Sequence, residues 1–125
     1  MAVPTVRAAS VKYYTARTND LGTANADALV TFMGRGRILS ISVSIDVACT
    51  TTATIITPTI RDSAATLVET LATITLTSTQ AALTSVTRDY AAGGQVDAGW
   101  SLRLRSDGGT ATTPFGAFTV AVQEG

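Results

Sequence analysis

The stretch Arg37-Ile-Leu-Ser-Ile-Ser-Val-Ser-Ile-Asp-Val47 decides the fold class. Ile41, Val43, Ile45 and Val47 fall on one side of an extended chain, and Ser40, Ser42, Ser44 and Asp46 on the other. This period of two reads as a long strand from Arg37 to Cys49 with one buried face. The other face carries almost only small hydroxyls. Ser and Thr favour β structure, hydrogen-bond across strands and avoid the desolvation cost of charge, which suits a surface that neutral neighbours partly cover.

Upstream, Gly34-Arg35-Gly36 is expected to turn tightly, using the positive φ open to glycine, and to join the ladder in a hairpin to a strand from Ala28 to Met33. Val11 to Arg17 reads as the first strand, followed by a turn-rich connection from Thr18 through Asn25. Downstream, Ala53 to Arg61 reads as a strand interrupted by Pro58, which lacks a ladder donor and implies an edge strand or a bulge. Asp62-Ser-Ala-Ala65 makes a turn. In Leu67 to Thr77, Val68, Ala72, Ile74 and Leu76 share one parity; the second half reads as a strand, whereas the first half also fits a helical turn. Gln80 to Ala92 fits a short helix or a strand, and the strand, ending at Gly93-Gly94, is preferred. From Val96 to Ser106, Trp100, Leu102 and Leu104 point inward, and Ser101, Arg103 and Arg105 outward. After a turn at Asp107-Gly-Gly109, Phe115 to Gln123 places Phe118, Val120 and Val122 on one face.

About eight short strands and little helix, separated by Gly, Asp, Asn and Pro clusters, predict an all-β fold: a single antiparallel two-sheet sandwich of jelly-roll type. Two amphipathic sheets bury their apolar faces together. Residues 1–20 are expected to supply an extended N-terminal arm and the first strand, and residues 21–125 the sandwich domain.

Composition narrows the function. A chain of 125 residues, 46% hydrophobic, fits one domain with its own core. Net charge is zero and only 14% of residues are charged, so no electrostatic footprint for nucleic acid or an acidic membrane is present. Mean hydropathy is positive, yet no apolar run approaches the roughly 20 residues a spanning helix needs. Met1-Ala-Val-Pro-Thr-Val-Arg7 does not read as a secretory signal. Low charge is unusual for a free monomer, and other subunits are expected to cover part of the surface.

The chemistry of catalysis is sparse. With no His, the commonest base and metal ligand is missing, and Ser-His-Asp and Cys-His arrangements are excluded. Cys49, the single cysteine, reads as a small hydrophobe near a strand end. Asp46, Asp62, Glu69, Asp89 and Asp97 are scattered over strands and turns, where turn capping explains them better than a carboxylate pair. Asp107-Gly-Gly109 and Asn19-Asp-Leu-Gly22 lack the alternating oxygens of a calcium loop, and Gly34-Arg-Gly-Arg37 lacks the Lys-Ser/Thr of a phosphate loop. No catalytic, metal or cofactor residue is therefore assigned. The candidate partner-binding residues are Tyr13, Tyr14, Trp100, Arg103 and Arg105. The two tyrosines face opposite ways, so at least one is expected in the core and the other can anchor a partner. Trp100 suits the core or a plug on a trimer axis, and Arg103 and Arg105 can pair with acids of a neighbouring strand or subunit.

The segment Tyr90-Ala-Ala-Gly-Gly-Gln-Val-Asp-Ala-Gly-Trp-Ser-Leu-Arg-Leu-Arg-Ser106 resembles the penultimate part of trimeric jelly rolls of the tumour-necrosis-factor and C1q-like group, and Phe115-Gly-Ala-Phe-Thr-Val120 their closing strand, a resemblance over the last third of this chain in which Trp100 stands where that pattern usually has Asp. Across its whole length the chain is similar in style to tailed-phage virion proteins of the cement (decoration) or head-fibre type. It shares their Thr/Ala-rich, His-free, charge-poor composition and their jelly-roll-like strand series. That resemblance implies a non-enzymatic protein on the capsid surface of a virion. It would bind the major capsid protein as a homotrimer near local threefold axes and reinforce the shell against internal pressure. The alternative is a receptor- or carbohydrate-binding head domain of a phage fibre, which requires exposed aromatics beside a polar groove.

Overall fold

In the computed structural model, which describes residues 10–125, the alternating runs become ten strands. They are β1 (Val11–Thr18), β2 (Asp27–Thr31), β3 (Gly36–Ile45), β4 (Thr54–Arg61), β5 (Leu67–Thr70), β6 (Ile74–Leu76), β7 (Ser85–Asp89), β8 (Gln95–Val96), β9 (Ser101–Ser106) and β10 (Gly116–Glu124). All pairing is antiparallel. One sheet, A, runs β1-β10-β3-β7 with β8 also on β3; the other, B, runs β2-β9-β4-β5 with β6 also on β4. Ten strands thus fill eight positions, because β5 and β6 share one edge of β4 and β7 and β8 share one edge of β3.

The pairs are nested about a single turn. Thr59 meets Thr70, Ile56 meets Ile74, Ser40 meets Asp89, Asp27 meets Arg105 and Val11 meets Gln123, each closing a wider loop around Asp62–Thr66. The chain is one long hairpin whose two arms cross together from sheet to sheet. Rolling it up adds the pairs β3·β10 and β4·β9, and this connectivity is the jelly roll that the strand series predicts. The turn itself is capped by Asp62, whose Oδ1 accepts from the amides of Ala64 (2.9 Å) and Thr66 (3.0 Å).

The core lies between the sheets. Ile41, Val43 and Ile45 of β3 enter it beside Phe118, Val120 and Val122 of β10, facing Leu102 and Leu104 of β9 and Ile56 and Ile60 of β4. Each buried side chain of this size contributes about 1.5–3 kcal/mol of burial. Ile38 also enters the core although it breaks the parity of Ile41. A bulge opposite Ala121 and Val122 inserts one extra residue into β3 and flips the phase. The strand ends at Ile45, earlier than the alternation implies. Val47 is exposed and Cys49 buried, and Asp46 Oδ1 accepts from the Phe115 amide at 2.7 Å.

Three local readings are corrected. Gly34–Gly36 does not close a hairpin: β2 belongs to sheet B and β3 to sheet A, so the segment is a corner between sheets. Neither glycine has a positive φ; Gly36 is required by close approach, since a Cβ there would lie 2.6 Å from the Gln123 carbonyl oxygen. Pro58 does not mark an edge, because β4 is flanked by β9 and by β5 and β6; it does sit at an irregularity, since residues 57–58 of β4 lie opposite the three residues 71–73 of the partner edge. Its ring faces the gap between β5 and β6, where no donor is needed, and its carbonyl accepts from the Leu71 amide at 2.9 Å. Leu67–Thr70 is strand rather than helical turn, and the break at residues 71–73 shifts the phase, so that Leu71, Ile74 and Leu76 are buried while Val68 is exposed. The first strand expected from Val11 to Arg17 is present as β1, which lies along β10 over its whole length as an edge strand of the sandwich. The expected extended arm falls largely on residues 1–9, outside the described residues.

Candidate functional site

Because β9 is central in sheet B, its outward residues are flanked on both sides. Three rungs cross the outer face: Asp27–Arg105–Thr57, Leu29–Arg103–Thr59–Thr70 and Thr31–Ser101–Arg61. Period two therefore gathers Arg61, Arg103 and Arg105 on one surface, with neighbouring arginines on diagonal or next-but-one positions.

Their charges are not balanced alike. Arg105 forms a two-pronged pair with Asp27, Nε to Oδ1 and Nη2 to Oδ2, both at 2.7 Å. The hydrogen bond from Arg105 holds the Asp27 carboxyl below its ordinary pKa, and Asp27 in turn raises that of Arg105. Arg103 has no carboxylate within ion-pairing distance among the described residues. Burial, aided by the positive charges of Arg105 and Arg61, pushes its pKa down. Beside it is a hollow of about 300 Å³ lined by Thr57, Thr59, Arg103, Arg105 and the loop residues Asn25 and Asp107.

The outer face of sheet A is of another kind. Its rungs are Tyr13–Ala121–Ser40–Asp89, Thr15–Thr119–Ser42–Thr87 and Arg17–Ala117–Ser44–Ser85. The middle rung carries one hydroxyl on each of four strands, and the Ser42 and Thr87 hydroxyls lie 2.7 Å apart. The polar face of the opening stretch is thus the centre of a sheet of small side chains.

The five residues singled out from sequence do not converge on one site. Arg103 and Arg105 lie on the outer face of sheet B, and the acid that Arg105 meets belongs to a neighbouring strand of its own chain. Tyr13, 66% exposed, stands on the outer face of sheet A. Tyr14 turns inward: its ring packs edge-on against Phe32 with centroids 5.3 Å apart, and its hydroxyl accepts from the Met33 amide at 3.2 Å. It ties edge strand β1 of sheet A to the chain leaving β2 of sheet B. Trp100 is half-buried against the core just before β9, and its carbonyl accepts from the Phe32 amide at 2.8 Å. Asn25, Asp27, Thr57, Thr59 and Arg61 were not singled out. Each has outward parity or lies in a loop, and only the pairing of β2 and β4 with β9 brings them beside Arg103.

Other acids are occupied locally. Asp107 Oδ1 accepts from the amides of Ile55 and Gly109 (3.0 Å each), Asp20 Oδ1 from Gly22 (2.8 Å), and Glu69 Oε1 from Gly94 (2.9 Å). Among the described residues no group of three or more His, Cys, Asp or Glu is placed to hold a metal ion. Compared with known proteins, the chain matches no family model, no curated protein and no solved structure.

Proposed function

We propose that this chain is a non-enzymatic structural protein of a virion, a cement or decoration protein that attaches as a homotrimer to the major capsid protein of an assembled shell. The observation that supports this reading most directly is the outer face of sheet A, where four strands present registered rows of Ser, Thr and Ala with little charge. Such a face can be covered by a neutral surface without stripping water from ions. Its hydroxyls can exchange hydrogen bonds with a partner, and a jelly roll holds them rigid. Attachment would be multivalent: many modest contacts across adjacent capsomers add up and oppose expansion of the shell. The fibre-head alternative has weaker support, because the sheet B hollow has no aromatic side chain among its lining residues on which a sugar could stack.

The test is to sediment the purified protein with capsids of the virus that encodes it, stripped of the protein, after fixing its mass by light scattering. The expected result is a trimer that binds saturably and raises the temperature or pressure at which the shells fail, with Ser42→Arg, at the centre of the face, abolishing binding. A protein with no affinity for the capsids, whose removal leaves shell stability unchanged, overturns the proposal.

A further inference from the structure

Three buried side-chain polar atoms have no hydrogen-bond partner among the described residues: Thr59 Oγ1, Arg61 Nε and Arg103 Nε. All three lie on the outer face of sheet B. Thr59 stands directly opposite Arg103 in the ladder, and Arg61 is one rung further along β4. Buried polar groups are nearly always paired, so three unpaired atoms in one place require an explanation. Each of the three carries a hydrogen to donate, although the Thr59 hydroxyl can also accept, and no acceptor is within hydrogen-bond reach of any of them among the described residues.

We infer that the hollow beside Arg103 is a binding site for an oxyanion, and specifically for a carboxylate, with Arg103 as its main donor and Thr59 beside it, while Arg61, one rung further along β4, lies outside the lining and adds only its positive charge. The planar guanidinium matches a carboxylate fork to fork. The acids already present do not fill this role: Asp27 has both oxygens on Arg105, and Asp107 Oδ1 is held by two backbone amides. They keep their negative charge nearby, however, and that favours a singly charged carboxylate over a doubly charged phosphate. Arg61 already gives Nη1 to the Ala65 carbonyl at 3.2 Å, which holds it at the margin of the cluster. Arg103 has no such engagement. The inference rests on this cluster alone and stands whether or not the chain belongs to a virion.

The carboxylate can come from a free small molecule or from an acidic side chain of a protein, and one experiment distinguishes them. The side-chain Nε–Hε signal of Arg103 and the backbone amide signal of Thr59, which lines the same hollow, are followed by nuclear magnetic resonance while acetate, a blocked glutamate amide, or phosphate is added at constant ionic strength. A saturating shift with the carboxylates, weaker with phosphate, is expected. Tighter binding of the blocked glutamate than of acetate assigns the site to a protein side chain, and the reverse order to a free acid. Arg103→Gln should weaken binding by at least about tenfold. Thr59→Val keeps the side-chain shape and guards against a variant that fails to fold. It should raise the melting temperature of the free protein, because an unpaired hydroxyl is removed, yet weaken carboxylate binding several-fold. A shift that stays linear to the highest soluble concentration, or a Thr59 amide shift that persists undiminished in Arg103→Gln, overturns the site, and tighter binding of phosphate overturns the choice of carboxylate.

Discussion

Tyr90 shows how one side chain repairs a defect elsewhere. The break between β5 and β6 leaves carbonyls at Ala72 and Thr73 without ladder partners. Tyr90, 7% exposed and just beyond β7, donates its hydroxyl to the Ala72 oxygen at 2.8 Å, while Arg88 Nη1 donates to Thr73 at 3.0 Å. Tyr90→Phe removes this part-buried hydrogen bond and is expected to cost about 1 kcal/mol, measurable by urea denaturation. Burial pushes the Tyr90 pKa up to about 12 from 10.0. The folded state therefore holds the proton more tightly, so this contribution is fully present below pH 10 and is lost as pH rises towards 12. Alkaline titration of stability should show that loss in the parent and not in Tyr90→Phe. Asp27 has the opposite sign. Its folded pKa is depressed below 3.8, so the contribution of its pair with Arg105 is complete above that value and fades as pH falls through the lower one. Asp27→Asn should show a lower melting temperature than the parent at neutral pH, and the difference should shrink in acid.

Among the elements, the join between the β6–β7 loop and β7 carries visible strain. Leu83 has φ 60° and is 86% exposed, and its amide donates to the Ile45 carbonyl at 3.0 Å as β7 begins to pair with β3. The left-handed conformation costs a non-glycine residue roughly 1–2 kcal/mol, and an exposed leucine recovers none of it by burial. Leu83→Gly is expected to raise stability by up to about 1 kcal/mol in thermal unfolding, since the gain is partly offset by the entropy of glycine. Pro58 was legible as an interruption but not as to where the interruption falls. The missing donor acts on the partner edge, splitting it into β5 and β6, and leaves β4 intact. The same break moved Val68 from the expected core parity to the surface.

For the whole molecule, nested pairing means that β1 meets β10 only after nearly all the chain between them has been gathered. Loop-closure entropy must be overcome before those contacts form, so refolding is expected on a millisecond-to-second timescale by stopped-flow fluorescence of Trp100. The innermost turn is the natural starting point. Asp62→Ala, which removes the two hydrogen bonds capping it, is expected to slow refolding more than it speeds unfolding. Equal slowing by a comparably destabilising change at the outermost pair, β1 and β10, would show that folding does not start there.

Alternation by itself determined that the chain is all-β, that Ile41, Val43, Phe118, Val120, Leu102 and Leu104 face inward, and that Arg103 and Arg105 share an outer face. Period two assigns each residue a side of its own strand, and that information is local. It does not name the neighbouring strand. Only the tertiary structure decided that β2 crosses to the other sheet, that Asp27 meets Arg105, and that Thr57 and Thr59 join Arg103 around a hollow. Those juxtapositions follow from how one long hairpin rolls up, which depends on the packing of both arms at once and not on any single stretch of the chain.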